Sequence, residues 1–218
     1  VFVALNISSP GCCDFSHSTI TLEKTTVPLL ISSDTFEGAC AVSEENGNWP
    51  VLLYLPLSQT WNWMQGFDIG TKQIAETRVE RALFALLHSC TETGVSPSKL
   101  IWLAHALETL FDTPHEGISK ALRNRIMLVL GAPESHTKKI RQAINSFYEL
   151  RSQFVHGALE IPHPLNSEDL DGRVNHLKER LTKNIHFATS IIVAIIQVHV
   201  LNNWKAIEFS ESFDGVGI

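Results

Sequence analysis

The sequence predicts a mainly α protein, a bundle of about five helices preceded by a small β-rich lobe. Three observations carry this. From Lys72 onward, apolar residues recur at helical spacing in successive runs. Glycine and proline separate those runs. Residues 1–70 differ in texture, being rich in Ser, Thr, Val and Ile and broken by Pro10, Pro28, Pro50 and Pro56.

In chain order, Thr19 to Leu22, Val27 to Ser32, Cys40 to Ser43 and Val51 to Leu55 read as strands. Glu45-Asn46-Gly47-Asn48 reads as a hairpin turn. This lobe, residues 1–70, could equally be the end of a preceding domain. A helical domain follows over 71–204. Its first helix spans Ile74 to Thr93, with a stripe of Val79, Ala82, Leu83, Leu86 and Leu87, and stops near Gly94. Ser96-Pro97 opens the next, which carries Leu100, Leu103, Ala104, Leu107 and Phe111 on one face and ends before Pro114. Ile118 to Leu130 is the third, with Gly131 and Pro133 as its stop. Ser135 to His156 is the fourth, and the longest runs from about Asp169 to Asn202. Residues 205–218 read as a loose tail. Phe187 to Trp204 is apolar enough to suggest a membrane span, but Thr189, Ser190, Gln197 and His199 interrupt it, so a buried core helix is expected.

The totals bound the function. A hydrophobic content of 44% with 18% charged residues is ordinary for a globular protein with a core. The net charge of -6 gives no hint of nucleic acid, but it is unevenly spread. Residues 1–70 hold seven acidic side chains and one basic. Ile118 to Gly157 holds seven basic and two acidic, a net +5 that could attract phosphates or simply form a solvated helix face. Cys12, Cys13, Cys40 and Cys90 show neither a disulfide framework nor zinc spacing. No secretory leader is evident, so a reducing, cytoplasmic setting is expected.

Charges in apolar positions give the first functional lead. Ile140, Ile144, Phe147, Arg151 and Phe154 fall on one helical face, so Arg151 occupies a position patterned for an apolar side chain. A guanidinium cannot be neutralised, and burying it alone costs several kcal/mol, so it needs a carboxylate, a phosphate or an open groove. Arg125 likewise falls on the stripe of Ile118, Leu122 and Val129, and Glu108 flanks the Leu107 and Phe111 face. The simplest resolution has Glu108 accepting from Arg125, Arg151 or both, either as a register-fixing ion network or as part of a site. His156 lies five residues after Arg151, roughly 140° around an ideal helix. The two share a face only if the helix end distorts at Gly157 or a second subunit brings them together. Alone, His156 could serve merely as a cap favoured by the helix dipole. His105 and Glu108 resemble half a metal site with no second half, so no metal is expected.

The runs HALETLF (105–111), ISKALRNRIMLVLG (118–131) and INSFYELRSQFVHG (144–157) resemble the Apea-like branch of the HEPN superfamily over about Thr71 to Asn203. The most specific element is Tyr148 to Gly157, which contains that superfamily's Arg-x4-His pattern. The resemblance implies a HEPN-type helical bundle that commonly dimerises. Many such domains are metal-independent endoribonucleases of toxin–antitoxin, abortive-infection and antiviral defence systems, leaving 2′,3′-cyclic phosphate ends. Carried over, Arg151 and His156 match the motif pair, Ser152 follows the Arg, and Glu108 matches the Glu of the preceding helix, with Tyr148 and Arg125 supporting. The implied partners are single-stranded RNA, a second copy of the chain and an antitoxin or regulatory protein, with no cofactor and no membrane. A non-catalytic HEPN nucleotide- or RNA-binding or dimerisation module is the alternative; a module working with a separate nucleotidyltransferase is a third.

Overall fold

A computed structural model of the chain describes residues 1–92, 94–114, 116–131, 136–163 and 171–210. The elements run α1 (Phe2–Ser8), β1 (Ser18–Leu22), β2 (Thr25–Leu29), α2 (Asp34–Glu45), α3 (Leu57–Gln65), α4 (Arg78–Thr91), α5 (Ser98–Leu110), α6 (Ile118–Leu130), α7 (Thr137–Val155) and α8 (Gly172–Asn202). The fold is mainly helical, with one small antiparallel hairpin in which Ile20 faces Val27. The predicted starts of the fourth and fifth helices at Ser135 and Asp169, and the stop residue Pro133, lie outside the described residues.

The five helices expected after residue 71 are present as α4 to α8. α4 begins with a capping box: Thr77 Oγ1 accepts from the Glu80 N–H, and the Glu80 carboxylate accepts from the Thr77 N–H. α6 starts at Gly117 and stops at Gly131, both with positive φ. α8 is the axis of the molecule. From Asn184 to Gln197 nearly every residue is buried, and 83% of its most apolar window lies inside the protein. Its length and composition are those of a membrane span, but its neighbours cover it as a core helix is covered.

The β-rich reading of residues 1–70 needs correction. Cys40 to Ser43 lies within α2, where Phe36, Ala39, Val42 and Ser43 turn inward at helical spacing. Asn46 and Gly47 close α2 rather than a hairpin, through N–H bonds to the Val42 and Glu44 carbonyls. Val51 to Leu55 is extended but joins no sheet. The Gln197 side chain instead takes both Leu53 backbone groups, accepting from its N–H and donating to its carbonyl, each at 2.8 Å. Phe2, Ile7, Phe36, Trp49 and Trp63 belong to the same apolar core as Leu103, Phe147 and Ile191.

The described part of the tail is not loose either. Ile207 and Phe209 pack against the core. The Phe209 ring lies 6.4 Å from Phe111 and under the Arg125 guanidinium at 4.7 Å, a cation–π contact.

Candidate functional site

α7 carries the Arg-x4-His segment, and the sequence explains how its end is built. His156 is the last half-helical residue and Gly157 follows with φ +71°. The Ala158 N–H bonds to the Gln153 carbonyl at 2.8 Å, and the Gly157 N–H to the Phe154 carbonyl at 3.3 Å. That pair is a Schellman closure, which needs the left-handed conformation that glycine adopts without strain. The closure holds the His156 backbone at a fixed place while leaving its side chain exposed.

Arg151 sits inward, as its stripe predicts. Ile140, Ile144, Phe147 and Leu150 of α7 are buried, and Arg151 is half-buried beside them. Its Nε is shut from solvent with no hydrogen-bond partner. Glu108 on α5 and Tyr148 on α7 stand at the same end of the bundle, and Glu108 Oε1 and the Tyr148 hydroxyl are also buried without a partner. Burial, and then the nearby Glu108 carboxylate, push the Tyr148 phenol well above its ordinary value, while the Arg151 charge pulls it back. Tyr148 is therefore a neutral donor. Its hydroxyl is near enough to Glu108 to feel the charge, yet the two close no aligned hydrogen bond. Three side chains from two helices thus crowd together with unspent hydrogen-bonding capacity.

The expected meeting of Glu108 with the two arginines does not take place. Neither Arg151 nor Glu108 forms an ion pair among the described residues. Arg125 turns instead to the end of α5, where its guanidinium donates to the Phe111 carbonyl at 2.8 Å and to the Asp112 carbonyl. Those carbonyls lie at the negative end of the helix dipole, so Arg125 works there as a C-terminal clamp. Ser152 is exposed, and its carbonyl accepts from the His156 N–H at 3.0 Å. Within one chain Arg151 is turned inward and His156 is exposed, as the helical rotation requires. His105 and Glu108 gain no third ligand, and among the described residues no group of three His, Cys, Asp or Glu could hold a metal ion.

Beside the end of α7 lies a hollow of about 450 Å³ lined by Gln153, Leu159, Glu160, Arg173, His176 and Arg180, among others. Arg173 is held by Asp171 at 2.7 Å, and Arg180 forms no ion pair among the described residues. Sequence reading passed over these cations, although Arg173, His176 and Arg180 recur at spacings of three and four, one face of a helix. Comparison of the chain with protein-family models, curated proteins and solved structures finds no match.

Proposed function

We propose that the protein is a HEPN-type, metal-independent endoribonuclease or RNA-targeting effector that cuts single-stranded RNA as a homodimer, with Arg151 and His156 at the shared cleft. One observation carries the reading. A guanidinium sits in the apolar face of α7 with a buried, unpartnered Nε, and no carboxylate among the described residues closes on it. A guanidinium without an internal anion suits an external one, and a phosphodiester matches its planar donor fork. Arg173, His176 and Arg180 extend positive charge along the neighbouring hollow, which supports an approach path for a polyanion.

The chemistry needs only side chains. The ribose 2′-oxygen forms a bond to the adjacent phosphorus as its proton passes to a base, and the phosphorus–5′-oxygen bond breaks as that oxygen takes a proton. The products are a 2′,3′-cyclic phosphate and a 5′-hydroxyl. Imidazole suits proton transfer near neutral pH, which is the role given to His156. Arg151 stabilises the charge that builds on the phosphoryl oxygens. Because Arg151 and His156 diverge within one chain, the cleft is completed by a second copy.

His156→Ala should abolish cleavage of a single-stranded RNA in EDTA while leaving the circular dichroism spectrum and the oligomeric mass unchanged. Equal EDTA-resistant activity in the wild type and the variant would rule the assignment out. The non-catalytic alternative rests on the same inward and outward divergence of the two side chains. It gains if neither protein cuts RNA while the wild type still binds RNA or dimerises.

A further inference from the structure

A second hollow, also about 450 Å³, opens where α2 meets α7 and α8. Its floor is apolar and built from three separate stretches of chain: Val42 and Trp49, Ile140 and Ala143, and Phe187. Trp49 is held rigidly there, since its indole N–H donates to the Gly131 carbonyl at 2.6 Å and its ring packs against Phe187. The rim is cationic. His136, Lys139, Arg180 and Lys183 line it, and among the described residues no Asp or Glu does. Lys139, Arg180 and Lys183 form no ion pair among the described residues.

Two further features narrow the ligand. Three permanent cations with no acid among the described lining residues suit a multiply charged anion such as a phosphate better than a single carboxylate. Between rim and floor stand Asn46, Gln142, Ser146 and Asn184, whose amide and hydroxyl groups can both donate and accept. Asn184 is 6% exposed, and its Nδ2 is committed to the Arg180 carbonyl at 2.8 Å, which leaves its Oδ1 to receive a ligand donor. Such groups would be wasted on an alkyl chain and suit the polar edge of a heterocycle. The size and the mixture of apolar wall with a few convergent polar groups are those of a small-molecule site. The adjoining hollow between α2 and α8 offers no such bias, because Glu45 and Glu179 line it alongside Lys178 and Lys183.

We propose that the hollow between α2, α7 and α8 binds an organic phosphate with a heterocyclic body of nucleoside size, its ring on the Trp49, Ile140 and Phe187 floor and its phosphate among Lys139, Arg180 and Lys183. The site shares Arg180 with the neighbouring hollow but uses neither Arg151 nor His156, so its test does not depend on the ribonuclease reading. Isothermal titration of the full chain with AMP, ADP, inorganic phosphate, adenosine and decanoate tests it. AMP or ADP should bind at least about tenfold more tightly than phosphate or adenosine alone, a difference of about 1.4 kcal/mol. Lys139→Glu and Lys183→Glu, both at exposed positions, should each weaken that binding by at least about tenfold with the thermal midpoint of the free protein unchanged. His156→Ala should bind as the wild type does. Failure of AMP and ADP to exceed inorganic phosphate, tighter binding of decanoate, or unchanged affinity in both lysine variants would overturn the assignment.

Discussion

Arg151→Met separates a guanidinium kept for a substrate from one kept for the fold, because the two roles predict opposite signs. Arg151 continues the buried face of Ile140, Ile144 and Phe147, and no acceptor bonds its buried Nε. Removing an unsatisfied buried donor returns about 1–3 kcal/mol. The arginine stem already covers apolar surface, so methionine adds little more than about 0.8 kcal/mol, the worth of one buried methylene. Helix propensities of the two residues are close. The variant should therefore be more stable than the wild type by about 1–3 kcal/mol. In a chain of this size that is a rise in Tm of roughly 2–4 °C per kcal/mol. Urea unfolding followed by circular dichroism, at fixed protein concentration, measures the stability; EDTA-resistant cleavage of single-stranded RNA measures activity, which should vanish. A loss of about 3–5 kcal/mol would instead be the signature of a broken buried ion pair, and it would refute the reasoning.

Other expectations concern the scaffold. Burial opposes ionisation of Glu80, but the Lys72 ammonium and the Thr77 and Glu76 N–H groups outweigh it and hold the carboxyl at about 2, below its ordinary 4.5. A depressed acid stabilises the fold above about 4.5, and that contribution is lost as pH falls toward 2. Glu80→Gln should cost about 1.5–3 kcal/mol at pH 7 by urea unfolding, with the gap to the wild type closing in acid. Burial lowers the His199 pKa against the opposing hydrogen bond to the Trp204 carbonyl, and His186 is lowered by burial and by the Lys99 charge. Both imidazoles fold neutral, so the unfolded chain takes up protons first as pH drops below 6.5 and stability falls. Thermal melts from pH 7.5 to pH 5 should show a decline that His199→Phe makes shallower, as a rough test of about one proton's linkage. At Gly38 in α2 an added Cβ would stand 2.2 Å from the His186 ring. Gly38→Ala should cost about 1–3 kcal/mol, and much less in a His186→Ala background, as a double-mutant cycle would show.

The helices after residue 71 were legible because local chemistry specifies them. Ile118–Leu130 has the predicted bounds, since glycines at both ends and an apolar stripe between them leave no other choice. Gly157 was readable for the same reason, being the residue a Schellman closure demands. Helical spacing also put Arg151 on the inward face. It did not reveal partners, because a stripe fixes direction around a helix and says nothing of height along the neighbour. Arg125 therefore reaches the last carbonyls of α5 instead of Glu108, whose carboxylate lies near Tyr148. Lys99, 2% exposed on α5 and lowered in pKa by burial, drew no attention because its stripe neighbours looked complete. In α2 the preceding Ser32 and Ser33 and the nearby prolines mask the helical spacing of three in Phe36, Ala39 and Val42. The cationic hollow was out of reach, since α2, α7 and α8 supply it from distant stretches of sequence.

The misreading of residues 1–70 and the correct reading of α8 have one physical cause. A helix that is apolar all round must be covered all round. α5, α6 and α7 cover α8 on one side, and α1, α2 and α3 pack against it on another. Cover from an irregular segment brings backbone groups that need partners, and α8 supplies them from within its apolar run. Gln197 donates to the Ile7 carbonyl at 2.8 Å besides serving Leu53, and His199 meets the Trp204 carbonyl at 3.2 Å. Of the polar residues that argued against a membrane span, Gln197 is thus the one that lets the Leu53 segment lie there without a sheet, while Thr189 and Ser190 bond the Ile185 and Phe187 carbonyls of α8 itself. The same packing divides α7. Its first half is roofed by the end of α2 and forms the cationic hollow, while its last turn, with His156 and Gly157, stays exposed. A segment that folds against α8 thus frames the cationic hollow on one half of α7 and leaves the Arg-x4-His end exposed.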